Sequence, residues 1–415
     1  MSIQDIYNDS KNNFLFNGSK KFTSLRNNLL INFDLSAKNK KNNESLKHLD
    51  PHIFDFSYKY KSLSNKIAYF DYDQDKIRIN VSNGKIEKVY SNKNNSNITF
   101  NNIDNKNNLI KDKFLTYQNY LKDDYIFNLN SLMLNSGYEI NIKEGDNTSI
   151  YISNSINDKE LTVFQKNIIN CSENSKVLLV EECTNEKKSN NNIVNFINLE
   201  KSSSVTHLVF QKNDKRANMQ STSYTNCESN AHYKQVTVNI SKGSARNHHY
   251  VNLNGENSSA DLDGVFFGAN EQFIDNKTQI NHNFPNCVSS QRYKGILTDK
   301  SKASYLSKTF VDKIAQKTEA YQLSKGILLS DNSHFHSKPE LRIFADDVKC
   351  SHGSTIGPID KDLLFYLRSR GLDKKKSVSL LIKSFFHEIL SNINEKNFID
   401  KFNDHSNIWL KENNI

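Results

Sequence analysis

The chain has 415 residues, enough to bury a sizeable core and to form two or three structural units. Lys+Arg exceed Asp+Glu by 55 to 46, while hydrophobic residues make up 36% and the mean hydropathy is −0.69. The lysines are scattered among asparagines and form no stripe interleaved with aromatics, so nucleic-acid binding is not expected and the positive excess reads as a solvated surface.

Roughly one residue in seven is Asn, and with frequent Lys and Ile this is the composition that AT-rich codons produce. Five Cys lie far apart with no CxxC pair, which argues against a disulfide framework and for a reducing compartment. The opening MSIQDIYNDSKNNFLF has no basic start followed by an apolar run. No stretch approaches the ~18 apolar residues of a membrane span. A cytoplasmic protein without membrane insertion is expected.

In chain order, SIQDIYNDSKNNFLF and SLRNNLLINFDL predict short amphipathic helices. IRINVSNGKIEKVY predicts a hairpin turning at Asn83-Gly84. Residues 91–112, nearly all Asn, Ser and Lys with a few Ile, predict a long surface loop or a poorly ordered stretch. DDYIFNLNSLMLNSG predicts a helix closed by Gly137 as its C-cap. From about 138 to 350 short β-branched or alternating runs follow one another (YEINI, KVLLVEEC, SVTHLVFQ, YKQVTVNI, RYKGILT), predicting an all-β unit. With only 13 Gly and 4 Pro for turns, a parallel β-helix fits better than a sandwich, although the irregular spacing leaves both open. The tail turns helical. Asp360 can cap KDLLFYLRSR, with Leu363, Leu364 and Leu367 on one face and Gly371 closing it. Asp373 can cap a second helix with Val378, Leu381, Ile382, Phe385 and Ile389 on one stripe, and EKNFIDKFNDHSNIWLK suggests a third.

Cys350 and His352 stand at i and i+2, so on a strand both side chains share a face. A thiolate and an imidazole there could ligate zinc or iron, or act as nucleophile and base, yet two ligands do not complete a metal site. His334 and His336 repeat the spacing upstream; one β-helix turn between the pairs would stack them into a four-ligand set. The plainer alternative is a polar corner and a buried Cys. The hydrolase elbow G-x-S-x-G, the zincin H-E-x-x-H, the phosphate-binding G-x-x-x-x-G-K-[ST] and G-x-G-x-x-G are all absent from the sequence.

INHNFPNCVSSQRYKGIL, DKIAQKTEAYQLSKGILLS and KPELRIFADDVKCSHGSTIGPIDKDLLFYLRSRGL together resemble the SufB/SufD family of iron–sulfur cluster assembly proteins, and its SufD branch in particular. The resemblance extends more weakly up to about residue 123. It implies a mainly β protein, a right-handed parallel β-helix flanked by helical segments: a largely helical region 1–134, the β-helix 135–358 and a C-terminal helical domain 359–415. It also implies a non-enzymatic scaffold of the SufBCD complex, pairing with SufB through the β-helix and with the SufC ATPase through the C-terminal helices. Cys350 and His352 fall on the family motif, which implies an interface with SufB and a nascent iron–sulfur cluster shared transiently with it. Phe365, Tyr366, Arg368 and Arg370 are the expected SufC contacts. A SufB-like cluster scaffold and a stand-alone metal-binding β-helix protein are the alternatives. The resemblance admits a flavin in the assembled complex, which the sequence does not show, and a homodimer when the partner is missing. Two departures stand out. SKASYLSKTF replaces a segment that is often Gly-rich, and HFH at 334–336 sits where small residues are expected, so a metal role for His334 or His336 is not carried over from the family.

Overall fold

The computed structural model describes residues 3–38, 68–71, 76–91, 97–156, 158–185 and 188–415. From Tyr138 to Pro358 sixteen strands follow one another with no helix between them. Each pairs in parallel with its second neighbour in sequence, so the chain alternates between two sheets and builds a parallel β-solenoid of about seven turns. Ser204, for example, lies opposite Lys176 on one side and His232 on the other, each 28 residues away. The rise per coil is not constant in sequence: Met219 pairs with Ala245, but Lys302 pairs with His334. That variation, from 26 to 32 residues, hides the period in the sequence. The atypical SKASYLSKTF segment forms an ordinary rung, paired on both sides.

Part of the Asn content is structural. Asn174, Asn230, Asn257 and Asn286 hold corners of successive coils at φ 59–60°, a left-handed conformation that Asn tolerates better than most side chains. On one outer face Asn side chains form a ladder, with Nδ2 of Asn170 donating to Oδ1 of Asn141 at 2.6 Å, Asn198 to Asn170 at 2.9 Å and Asn226 to Asn198 at 3.2 Å. Each step joins amides one coil apart and supplements the backbone ladder.

The two ends of the solenoid differ. At the first coil the hairpin Ile77–Ser82 and Lys85–Ser91 lies beside the strand Asn147–Ser155, and Ile98–Asn102 pairs antiparallel with Tyr138–Ile142. The hairpin turns at Asn83 and Gly84, both at positive φ, as the sequence predicts. At the other end His334–Ile343 and Val348–Pro358 are the terminal strands of their sheets, with no further strand beyond them among the described residues. Such edges leave backbone N–H and C=O groups unpaired.

Helices cover the outer faces. α1 (Ile3–Ser10), α2 (Lys20–Lys38), α3 (Asn108–Tyr117) and α4 (Tyr125–Met133) belong to the first half of the chain. α5 (Lys361–Ser369), α6 (Lys374–Leu390) and α7 (Lys396–Glu412) follow the solenoid. Phe114 of α3 and Phe127 of α4 bury against Phe196 on one sheet, at ring distances of 6.3 and 6.2 Å. On the other sheet Phe267 receives Phe386, Phe402 and Trp409 at 5.0, 6.1 and 5.1 Å. Among the described residues no helix is long and apolar enough to cross a membrane.

Three local expectations are corrected. Residues 97–112 are not a loop: they hold the strand Ile98–Asn102 and the start of α3, whose N-cap Asn107 accepts from Ile110 N at 3.1 Å. Ile98, Phe100, Ile103 and Ile110 are the spaced apolar residues that the Asn-rich background conceals, and all four are buried. Residues 92–96 lie outside the described residues. Gly137 is not the cap of α4, which ends at Met133; a Cβ at Gly137 would stand 2.0 Å from the Lys166 carbonyl oxygen, so the residue serves a close backbone approach. The buried stripe of α6 is Ser377, Ile382, Phe386, Ile389 and Leu390, so Phe386 rather than Phe385 occupies the core.

Phe386→Ala should cost about 3–5 kcal/mol, since the ring is fully buried between the sheet and α7. Urea unfolding checks this; an unchanged midpoint would show that α6 does not support the solenoid.

Candidate functional site

The strand Val348–Pro358 positions Cys350 and His352 on the last rung. It pairs in parallel with Thr318–Leu328, placing Cys350 over Ala320, His352 over Gln322 and Ser354 over Ser324. Ala320, Gln322 and Ser324 are buried, whereas Tyr321 between them is 42% exposed. The Cys350 and His352 column is therefore the one that faces the solenoid interior, and both ligands stand at its open mouth. His352 is exposed and Cys350 half-buried because nothing is stacked above them.

Beneath them the interior is polar and hydrogen-bonded. Gln322 Nε2 donates to Thr309 Oγ1 at 2.8 Å, and Ser307 Oγ donates to Gln322 Oε1 at 3.1 Å. One rung lower Gln291 Nε2 donates to the same Thr309 hydroxyl at 2.9 Å. This network fixes the floor under His352. Sequence reasoning missed Gln322, whose only signal is its 30-residue offset from His352. The Ser324 hydroxyl is buried with no partner among the described residues, so the last coil retains unused hydrogen-bonding capacity. Partial burial raises the Cys350 thiol above its usual pKa. It is thus mainly a thiol at neutral pH and needs a metal or a base to become a thiolate ligand.

His334 and His336 do not stack on this pair. They lie on His334–Ile343, in the other sheet, opposite Lys302 and Ser304. Among the described residues no group of three or more His, Cys, Asp or Glu can hold a metal ion, so the four-ligand set does not form. Cys171, Cys183, Cys227 and Cys287 are free and buried. Burial pushes Cys171 up to about 12 and raises the other three as well, so these thiols are inert.

Two residues separate Pro358 from α5. Asp360 Oδ1 caps α5 by accepting from Asp362 N and Leu363 N at 2.9 and 3.0 Å, and Gly371 follows at φ 91°. None of its residues is buried, and Leu363, Phe365 and Tyr366 are 51%, 74% and 53% exposed. The Arg370 guanidinium lies 5.2 Å from the Tyr366 ring centroid, and Arg368 is exposed in the last turn. An exposed patch with this many large apolar side chains is an interaction surface rather than a random one.

Residues 153–385 match the family described as SUF system FeS cluster assembly, SufBD core domain, which takes in more than half of the chain. The chain belongs to the SufB/SufD family. Of its relatives, the iron-sulfur cluster assembly protein SufD of Escherichia coli (strain K12) is 36% identical over 137 residues, covering 33% of this chain and 32% of the relative. An iron-sulfur cluster assembly SufBD family protein of Synechocystis is 35% identical over 161 residues, 39% of this chain and 36% of the relative. The chloroplastic protein ABCI7 of Arabidopsis thaliana is 32% identical over 178 residues, 43% of this chain and 38% of the relative. The chain thus spans about a third of the length of the curated relatives that it matches. The family is that of SUF iron–sulfur cluster assembly, and the relatives place the chain on its SufD branch.

In the native protein iodoacetamide should modify Cys350 and spare the four buried thiols, at a rate that climbs with pH because the raised thiol pKa limits the thiolate. Mass spectrometry of the labelled peptides checks this. Comparable labelling at Cys183 or Cys227 would contradict the burial assigned to them.

Proposed function

We propose that the chain is a non-catalytic scaffold subunit of a SUF cluster assembly complex. It pairs with SufB through the open end of its solenoid and with the SufC ATPase through α5 and the helices after it. The nascent iron–sulfur cluster is the cargo, held transiently between the two β-helix subunits. The observation that carries this reading is the last rung: two soft ligands at the mouth of an uncapped solenoid, with no third ligand beside them among the described residues. A site of that kind is finished by ligands from another chain. Each partner can then hold one wall, and a small relative movement opens or completes the cluster site.

The exposed aromatics of α5 support the second contact, and its closeness to the last strand gives SufC a short route to the cluster mouth. The sequence has no phosphate-binding Gly-rich loop, which supports leaving ATP hydrolysis to SufC. Five free cysteines support a reducing compartment, here the cytoplasm. Without SufB, the open strand is the surface on which two copies would pair. No residue is assigned to a flavin in this proposal.

Co-expression with SufB and SufC tests the assembly, and failure to co-purify with either would overturn it. His352→Ala should leave the complex intact and lower cluster formation about ten-fold or more, as loss of a ligand does. Phe365→Ala with Tyr366→Ala should release SufC and keep SufB, with about 30-fold or greater weakening if these rings anchor the contact. Normal cluster yield from the His352 variant would remove the half-site, and undiminished SufC binding would remove the α5 contact.

A further inference from the structure

A cleft of about 880 Å³ opens between the segment Tyr120–Asn128, which links α3 to α4, and the outer face of the sheet that carries His334–Ile343. Its size is that of a small-molecule site. Registered columns of side chains form the floor. Arg246, Asp275, Ser304 and His336 make one column, and His248, Lys277, Leu306 and Lys338 make the next. His336 of the HFH motif thus faces this cleft and not the cluster mouth.

The carboxylates here are already committed. Asp124 Oδ1 caps α4, accepting from Phe127 N at 3.0 Å. Its Oδ2 accepts from Arg246 Nη2 at 2.6 Å and from the Tyr250 hydroxyl at 3.1 Å. Asp275 takes Ser304 Oγ and, at 2.8 Å, His248 Nε2. His248 Nδ1 lies 2.7 Å from Arg246 Nη2, which can only donate, so Nδ1 accepts and Nε2 carries the hydrogen toward Asp275. Lys308 and Lys338 share the single carboxylate of Glu340, at 3.1 and 2.9 Å.

Lys277 is left over. Its Nζ donates to the Tyr250 hydroxyl at 3.1 Å and sits 4.8 Å from that ring's centroid. No carboxylate lies within ion-pair distance of it among the described residues. Burial lowers its pKa, and Lys308 adds repulsion. On this floor Arg246, Lys277, Lys308 and Lys338 face Asp124, Asp275 and Glu340, while Lys122 and Asp123 on the wall offset each other. One positive charge stays uncompensated in a recess, a costly arrangement that a bound anion relieves.

We propose that this cleft binds a small organic oxyanion, a carboxylate or a phosphate, with Lys277 as its principal cation. Lys338 and the Tyr250 hydroxyl lie on the same floor as further donors, and the Arg246–Asp124 ion pair holds the helical wall at its distance from the sheet. A lysine point charge serves either class of oxyanion, so the two sources are told apart by experiment.

The full chain is titrated with inorganic phosphate and, separately, with malonate at constant ionic strength, followed by calorimetry. Saturable binding of either anion supports the site, and the tighter one names the source. Lys277→Met should weaken that binding by about ten-fold or more, while Lys277→Arg retains it. Because it removes an uncompensated charge, Lys277→Met should melt no lower than the parent protein. Absence of saturable binding for both anions, binding unchanged in Lys277→Met, or a clear loss of stability in that variant would overturn the proposal.

Discussion

In a parallel solenoid each strand satisfies its backbone N–H and C=O groups only from the rungs before and after it. The stack must therefore stop somewhere, and each stop exposes a row of unpaired groups. This chain treats its two ends differently. The first coil is closed by the hairpin at Asn83-Gly84 and by the antiparallel strand Ile98–Asn102. The last coil ends on Val348–Pro358 with its hydrogen-bonding edge and its interior both open. The soft ligands stand at that end and not at the closed one, and the rest of the functional reading depends on this asymmetry.

The packing around the solenoid is consistent with one end being kept free. α6 and α7 bury Phe386, Phe402 and Trp409 on the outer face near Phe267 and leave the last strand uncovered. Lys294 ties α6 to the sheet through Glu388 at 2.7 Å and the Phe385 carbonyl at 2.9 Å. α5, by contrast, buries nothing. Two residues separate it from the strand that carries Cys350 and His352. A partner that moves α5 acts close to the cluster mouth, whereas the anchored α6 and α7 supply the fixed frame.

The fold class was legible because its signals are local: β-branched runs, few Gly and Pro, and capped helices at Asp360 and Asp373. Handling of the coil period was harder, since corners absorb between 26 and 32 residues per turn without disturbing the stack. The Asn-rich background misled in both directions. It hid Phe100 and Ile110 in a stretch that reads as loop, and it made structural asparagines at corners and in ladders look like codon bias. At the site, Cys350 and His352 were legible from spacing alone because a two-residue period on a strand fixes their common face. Gln322 under His352 was not, and neither was the Asp124–Arg246–Asp275 cluster, which joins residues more than a hundred positions apart through tertiary packing. His334 and His336 show the limit of spacing arguments: the period was right, but the neighbouring sheet was the wrong one.

The central claim is that the open last rung is completed by SufB. Ser351 is exposed on that rung between the two ligands, so a photo-crosslinking side chain introduced in its place reports directly on what lies against it. With SufB and SufC present, the account predicts a cross-link from position 351 to SufB. A cross-link that appears only from positions remote from Val348–Pro358, with position 351 left unlinked in the assembled complex, would contradict it.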